Sequence, residues 1–293
     1  MTHSAARPVL ITDSSCDLPA PLAAELGLTV LRLSFTINGE EHVDDLGLTM
    51  PNAEFYRRMR AGAVPMTSAV PLAEYLEAFT RCAEEGRPAL LLGLSRSLSS
   101  SYEAALSAAE TVRGAHPDAD LRLPDTVNAS ASLGILVLEA AKRLAQGAGI
   151  DELERWVLDN RLRVNGYFTL DTLEYLRRGG RIHDIVAYAG KMLDVRPLLR
   201  IDAKGDLVLT GQARGRRKSM RALVDVVEKR VEEPEGQTPL VAHGDSLDDA
   251  EALREMLLER VPFPDAMVTE LGPVMGAHAG PGMLAITFFG RTR

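Results

Sequence analysis

Cysteine is nearly missing from this chain of 293 residues, which carries only Cys16 and Cys82. Two thiols so far apart build neither a disulfide framework nor a zinc site, and they point to a reducing compartment. Aromatics are also scarce, at 5% against 46% hydrophobic residues in all. The core must therefore be filled with Leu, Val, Ile and Ala, which leaves smooth aliphatic walls around any cavity. No apolar run nears the roughly 20 residues of a membrane span, and the segment Val9 to Ile11 is too short for a signal peptide. Positive charge is in deficit, with 33 Lys and Arg against 41 Asp and Glu and a formal charge of -8. That balance repels a polyanion overall and argues against nucleic-acid binding. There is no GxGxxG or Walker sequence to seat a nucleotide, and the six histidines lack metal-ligand spacing. The expectation is a cytoplasmic globular protein of roughly two domains, without a metal or other cofactor.

What is present repeats one theme in the first half, a short apolar run, a hydroxyl-rich or acidic loop, then a helical pattern. Pro8 to Thr12 leads into Asp13-Ser14-Ser15-Cys16-Asp17 and the stretch Leu18 to Leu26; Ala89 to Leu94 leads into Ser95 to Ser101 and a helix from about Tyr102. Leu121 to Leu123 leads through Asp125-Thr126 into a helix Ala131 to Gln146. Such units predict parallel strands with crossover helices, whose loops converge on one crevice beyond the carboxyl ends of the strands. The alternating segment Leu31 to Ile37, ended by Asn38-Gly39, predicts a hairpin, and Pro71 opens a helix running to about Glu85.

The pattern changes near residues 160–165, after a helix Asp151 to Asp159, which sets a boundary between an N-terminal α/β domain over 1–161 and a C-terminal α/β domain over 162–293. The second half reads as a short helix Leu173 to Arg178, a helix Ile185 to Leu193, and a hairpin Leu198 to Gln212 turned at Ala203-Lys204-Gly205. Amphipathic helices follow, about Lys218 to Glu232 and Leu247 to Arg260, with a strand Pro239 to Ala242 between them. The strands Ala266 to Glu270 and Met283 to Phe289 close the chain, joined by a Gly-rich loop that holds His278.

Five of the seven residues from Ser95 to Ser101 carry hydroxyls, at the start of a helix. Ser100 and Glu103 have capping-box spacing, so helix initiation accounts for part of this cluster. Free amides at a helix start, joined by hydroxyls, also seat a carboxylate or phosphate; Thr67 and Ser68 present the same pair of readings. Gly93-Leu94-Ser95-Arg96-Ser97 approaches the nucleophile elbow of an α/β serine acyl hydrolase, with His278 in the right chain order, but lacks the second glycine. Gly276-Ala-His278-Ala-Gly-Pro-Gly282 bends the chain and lets backbone approach a partner closely, and its histidine could meet an anion. Arg177, Arg178 and Arg181 surround a Gly-Gly break, and Arg214-Gly-Arg-Arg-Lys218 adds a second basic run. Such runs are usually solvated surface, although guanidinium also matches a phosphate or an acidic partner.

Ile11-Thr-Asp-Ser-Ser15, Asp44 to Tyr56, Thr67-Ser68, Ser95 to Tyr102, Thr172 to Ile182 and Gly276 to Gly282 together resemble the DegV family over nearly the whole chain, the last two segments specifically. The resemblance implies a two-domain DegV-like α/β fold, a Rossmann-like parallel-sheet domain followed by a mixed α/β domain. It further implies binding of a long-chain fatty acid, presented to a separate ATP-dependent fatty acid kinase subunit for conversion to acyl phosphate, without independent catalysis and with transient membrane contact. Carried over by motif, Thr67, Ser68, a loop serine with Ser99 first among them, and His278 would hold the carboxylate, while Arg177, Arg178 and Arg181 would face the partner or its phosphate. The family's usual Thr-Ser-Gln-Pro-Ser continues here as Ala69-Val70-Pro71, and its Ser-Gly-Thr is Ser99-Ser100-Ser101, which leaves the ligating serine open. An acyl hydrolase and a small-anion or lipid sensor are the alternatives.

Overall fold

The computed structural model describes residues 6–182 and 194–293; the helix expected over Ile185 to Leu193 lies outside them. Strand β1 (Val9–Asp13) is buried along almost its whole length, as a parallel strand covered on both faces must be. It pairs in parallel with β2 (Thr29–Leu31). Next come β3 (Ser34–Ile37), β4 (Glu40–Val43) and β5 (Met66–Ser68), a small antiparallel sheet in the order β4-β3-β5. Asn38 and Gly39 make the expected two-residue turn between β3 and β4, with φ of 55° and 82°. The chain then returns to the parallel sheet with β6 (Ala89–Leu92) and β7 (Leu121–Arg122), giving the order β2-β1-β6-β7.

The second sheet takes β8 (Val164–Thr169), β9 (Val195–Ile201), β10 (Leu207–Arg214), β11 (Leu240–His243), β12 (Met267–Glu270) and β13 (Leu284–Phe289), in the order β10-β9-β8-β13-β11-β12. It is antiparallel except for the pair β11 and β12. The helices of the first half are α1 (Ala20–Glu25), α2 (Asn52–Arg60), α3 (Leu72–Glu84), α4 (Ser101–Ala115), α5 (Ala131–Ala145) and α6 (Ile150–Asn160). Those of the second are α7 (Glu174–Arg178), α8 (Arg216–Arg230), α9 (Leu247–Arg260) and α10 (Pro273–Ala279).

One face of the second sheet, carrying Leu284, Ile286 and Phe288, packs on α8 and α9 through Leu223, Val227, Leu253 and Leu257. The other face turns toward the first sheet, so Phe168, Leu199 and Ala285 share a core with Leu10, Leu90 and Leu92. Between the sheets runs α5, buried and almost wholly apolar from Ala131 through Val137, as a helix segment with no solvent face is, before Glu139, Lys142 and Arg143 reach solvent in its second half. Gly134 lets it approach β1's loop, because a Cβ there would sit 2.6 Å from the Cys16 carbonyl oxygen.

The segment around His278 departs from expectation, since it is helix α10 and not a turn between strands. Pro273 occupies the first helical position and Gly280, with φ of 77°, ends the helix, so the proline and glycines act as start and stop signals.

Candidate functional site

Two hydroxyl-bearing segments of the first half are stitched together by Ser101. The Val70 N–H donates to Ser101 Oγ at 3.2 Å, Ser99 Oγ donates to the same oxygen at 2.9 Å, and the Ser101 N–H donates to Ser99 Oγ at 3.1 Å. The expected capping box is not formed: Ser100 makes no side-chain cap bond, and Glu103 instead accepts from Arg96 at 2.7 Å. The Arg96 guanidinium, held also over the Tyr102 ring, competes successfully for that carboxylate.

Among the described residues the serine elbow likewise lacks a triad. Ser95 is fully buried, its Oγ lies 3.0 Å from Ser97 Oγ, and Gly205 at the tip of the β9–β10 hairpin presses on both hydroxyls. His278 is engaged elsewhere, with Nε2 placed 2.8 Å from Thr67 Oγ1. Among the described residues Ser95 has no base, so the hydrolase geometry is not assembled there.

The two glycine-rich motifs of the second half interlock, which explains their composition. A Cβ on Gly179 would fall inside the His278 imidazole, and one on Gly280 inside the Tyr175 ring. Helix α7 and helix α10 therefore need glycine at their contact, each against the other's ring. Burial, and next the positive charge of Arg181, push the His278 imidazole down to about 4, so the ring is neutral around pH 7. Its Nδ1 is buried and has no hydrogen-bond partner among the described residues. A neutral ring so placed can give or accept one hydrogen bond toward Thr67 and a ligand beside it.

Thr67, Ser68, Ser99, Arg181 and His278 all lie on the wall of one cavity of about 420 Å³. The rest of that wall is largely aliphatic and comes from both halves, with Leu33, Leu94 and Ala129 facing Phe168, Ile201 and Ala285. The size falls within the ~300–1,000 Å³ of small-molecule sites. A largely aliphatic chamber with hydroxyls, an imidazole and a guanidinium in its wall suits an amphiphile with a single polar head.

The three arginines grouped by sequence separate here. Arg177 and Arg178 are exposed, and Arg178 bonds to Glu174 one helical turn away. Arg181 turns inward after Gly180, whose φ is 67°, and donates to the carbonyls of Leu98, at 3.2 Å, and Gly179. Its charge belongs to the cavity wall and not to the outer surface, because the Gly-Gly turn reverses the chain. Sequence reasoning missed Ser130, Ser132 and Thr287, which also line the cavity. Ser130 had a signal, as the residue before a helix; it holds a φ of 55° and donates to Asp17 Oδ2 at 2.5 Å.

The fold has counterparts among known proteins. The family model described as uncharacterised proteins of the DegV family matches residues 8–291. This chain belongs to the DegV family. A DegV domain-containing protein of Clostridium perfringens is 37% identical over 285 residues, covering 97% of this chain and 98% of that one. A solved DegV family protein from Thermus thermophilus, described as fatty-acid binding, superposes with a TM-score of 0.86 at 29% identity, covering 97% of this chain and all of that one (100%). A DegV lipid-binding protein from Thermotoga maritima superposes with a TM-score of 0.84 at 25% identity, covering 98% and 99% of the two chains. Among the described residues no helix is long and apolar enough to cross a membrane.

Proposed function

We propose that this DegV family chain binds one long-chain fatty acid, with the carboxylate among Thr67, Ser68, Ser99 and His278 and the tail in the aliphatic part of the cavity. The observation that carries this reading is the cavity itself, about 420 Å³ with its hydroxyls, imidazole and Arg181 set against aliphatic walls. Hydroxyls and the nearby guanidinium favour an ionised head, and each methylene removed from water contributes about 0.8 kcal/mol. The fatty-acid-binding Thermus thermophilus relative, alike in fold over its full length, supports the same ligand class.

The reading extends to delivery: the chain is a cytoplasmic carrier that presents the carboxylate to an ATP-dependent kinase subunit for conversion to acyl phosphate, and has no catalysis of its own. In support, the sequence has no nucleotide motif, and the head-group end opens at the surface, where Ser68 and Ser100 are exposed. Arg177 and Arg178 stand exposed on α7, the helix packed against α10. Mass spectrometry of organic extracts from the purified protein tests the binding reading. Stoichiometric intact fatty acid is expected; protein that arrives empty and takes up none on incubation with palmitate would overturn it.

A further inference from the structure

Three buried carboxylates, Asp13, Asp17 and Asp44, stand outside the lining of the cavity. Asp13 is satisfied within the first half by Ser15 and by the Leu94 N–H, at 2.9 Å. The other two reach across to helix α10. Asp17 Oδ1 accepts from the Gly272 N–H at 2.8 Å and Asp44 Oδ2 from the Val274 N–H at 3.1 Å. Both flank Gly272 so closely that a Cβ there would sit 3.2 Å from each oxygen of Asp44 and 3.4 Å from Asp17 Oδ1. The helix they hold carries His278 one turn beyond Val274, on the same face.

The two differ in what a proton would do. Asp17 Oδ2 faces the Ser130 hydroxyl, which can rotate to accept a hydrogen bond from a protonated carboxyl. Asp44 faces backbone donors on both oxygens, the Val274 N–H on Oδ2 and the Leu46 N–H, at 3.4 Å, on Oδ1. Neither can accept, so a proton on either oxygen weakens the bond there and turns the other from a charge-assisted into a neutral one, and the Val274 N–H loses strength in both cases.

We propose that Asp44 is a positioning residue for head-group binding: its ionised carboxylate pins the first turn of α10 and so sets His278 against Thr67, and ligand affinity falls when Asp44 takes up a proton. The inference rests on the fatty-acid reading given above. Burial, with the negative charges of Asp45 and Asp13 adding to it, raises Asp44 to about 7. Among the described residues the titratable groups that bear on it are Asp13 of β1, Asp17 of the following loop, Asp45 beside it and Tyr56 of α2, none of them cationic. Titration of this set is shared, with Asp44 the member whose protonation reaches α10. His278 itself, depressed to about 4, stays neutral through this window.

The experiment measures palmitate affinity from pH 6 to 8.5 for the wild type and Asp44→Asn, and follows the His278 ring nitrogens by NMR in ligand-free protein. Relative to the variant, the wild type should lose up to about tenfold in affinity between pH 8 and 6. Any titration of palmitate's own head group is common to both proteins and cancels in that ratio. The variant, which mimics the neutral acid, should stay near the wild type's low-pH affinity, and the wild-type His278 signals should move with the same midpoint. A wild-type-to-variant ratio that does not change with pH overturns the proposal. So do wild-type His278 signals that stay fixed across the range, an observation that needs no variant to fold. Absence of palmitate binding at every pH would overturn the fatty-acid reading instead, while the His278 signals still decide the link to Asp44.

Discussion

Two cavities of this molecule have nearly the same volume, about 420 Å³ and 410 Å³, and opposite linings. The second lies beyond the carboxyl ends of the parallel pair β11 and β12 and is walled by His243, Asp245, Asp248, Asp249 and Glu270. Its position obeys the rule for α/β sheets, yet its acids are partly spent on the protein: Asp245 pairs with Arg60 at 2.6 Å and Asp249 with Arg216 at 2.8 Å. The first is largely aliphatic, with hydroxyls, His278 and Arg181 set into its wall. Topology therefore supplies a crevice, and the side chains that reach it decide what it can hold. The histidines make the same point. Burial lowers both, but His243 accepts at Nδ1 from the Ser246 N–H, at 3.3 Å, whereas His278 spends Nε2 on Thr67 and has no partner for Nδ1 among the described residues.

The comparison breaks most severely at Gly179. A methyl group there has no room beside the His278 ring, and displacing the ring costs the overpacking penalty of about 1–3 kcal/mol as well as the contact with Thr67. Gly179→Ala should lower palmitate affinity by more than about a hundredfold, while the acidic cavity, remote from α7 in its lining residues, keeps its structure. Binding by calorimetry and the His243 NMR signals check both halves. Near-normal affinity would mean that α7 and α10 yield, and that the interlocked motifs do not set the head-group site.

A smaller loss is expected at Thr67. Thr67→Val keeps the β-branched shape on β5 and removes the hydroxyl that faces His278. A hydrogen bond to a charged group is worth about 1.5–3 kcal/mol, or roughly one to two decades of affinity. The variant should also discriminate less between palmitate and its methyl ester. Unchanged discrimination would place carboxylate recognition on Ser99 and Arg181 instead.

Legibility in the sequence followed the range of the forces involved. Strand runs such as Ala89–Leu92, the Asn38-Gly39 turn and helix α9 (Leu247–Arg260) were readable because local pattern and propensity agree there. The glycines at 179 and 280 were visible as special, but their reason was not, since each answers a ring contributed by another element. Arg181 could not be told from Arg178 by spacing, because the turn between them sends one inward and leaves the other in solvent. Ser132 and Thr287 were hidden for a related reason. One stands on α5 and one on β13, 155 positions apart, and only the packing of helix on sheet brings them to the same wall.

The smallest effect on either cavity is expected where the chain touches neither. Arg178 is bonded to Glu174 and its side chain is 43% exposed; such a pair on a helix contributes only about 0.3–0.5 kcal/mol to stability. Arg178→Ala should leave palmitate occupancy within about twofold of the wild type, as expected for an exposed residue outside the cavity wall. If the carrier reading holds, the same substitution should slow acyl-phosphate formation with a cognate kinase, because a guanidinium exposed on an acidic protein is suited to steering an acidic partner surface. The gap between wild type and variant should narrow as salt rises, since screening removes the steering from the wild type as well. Rates that coincide at low salt would separate the exposed arginines from delivery, and loss of palmitate in the isolated variant would show that α7 responds to its solvent face as strongly as to its contact with His278.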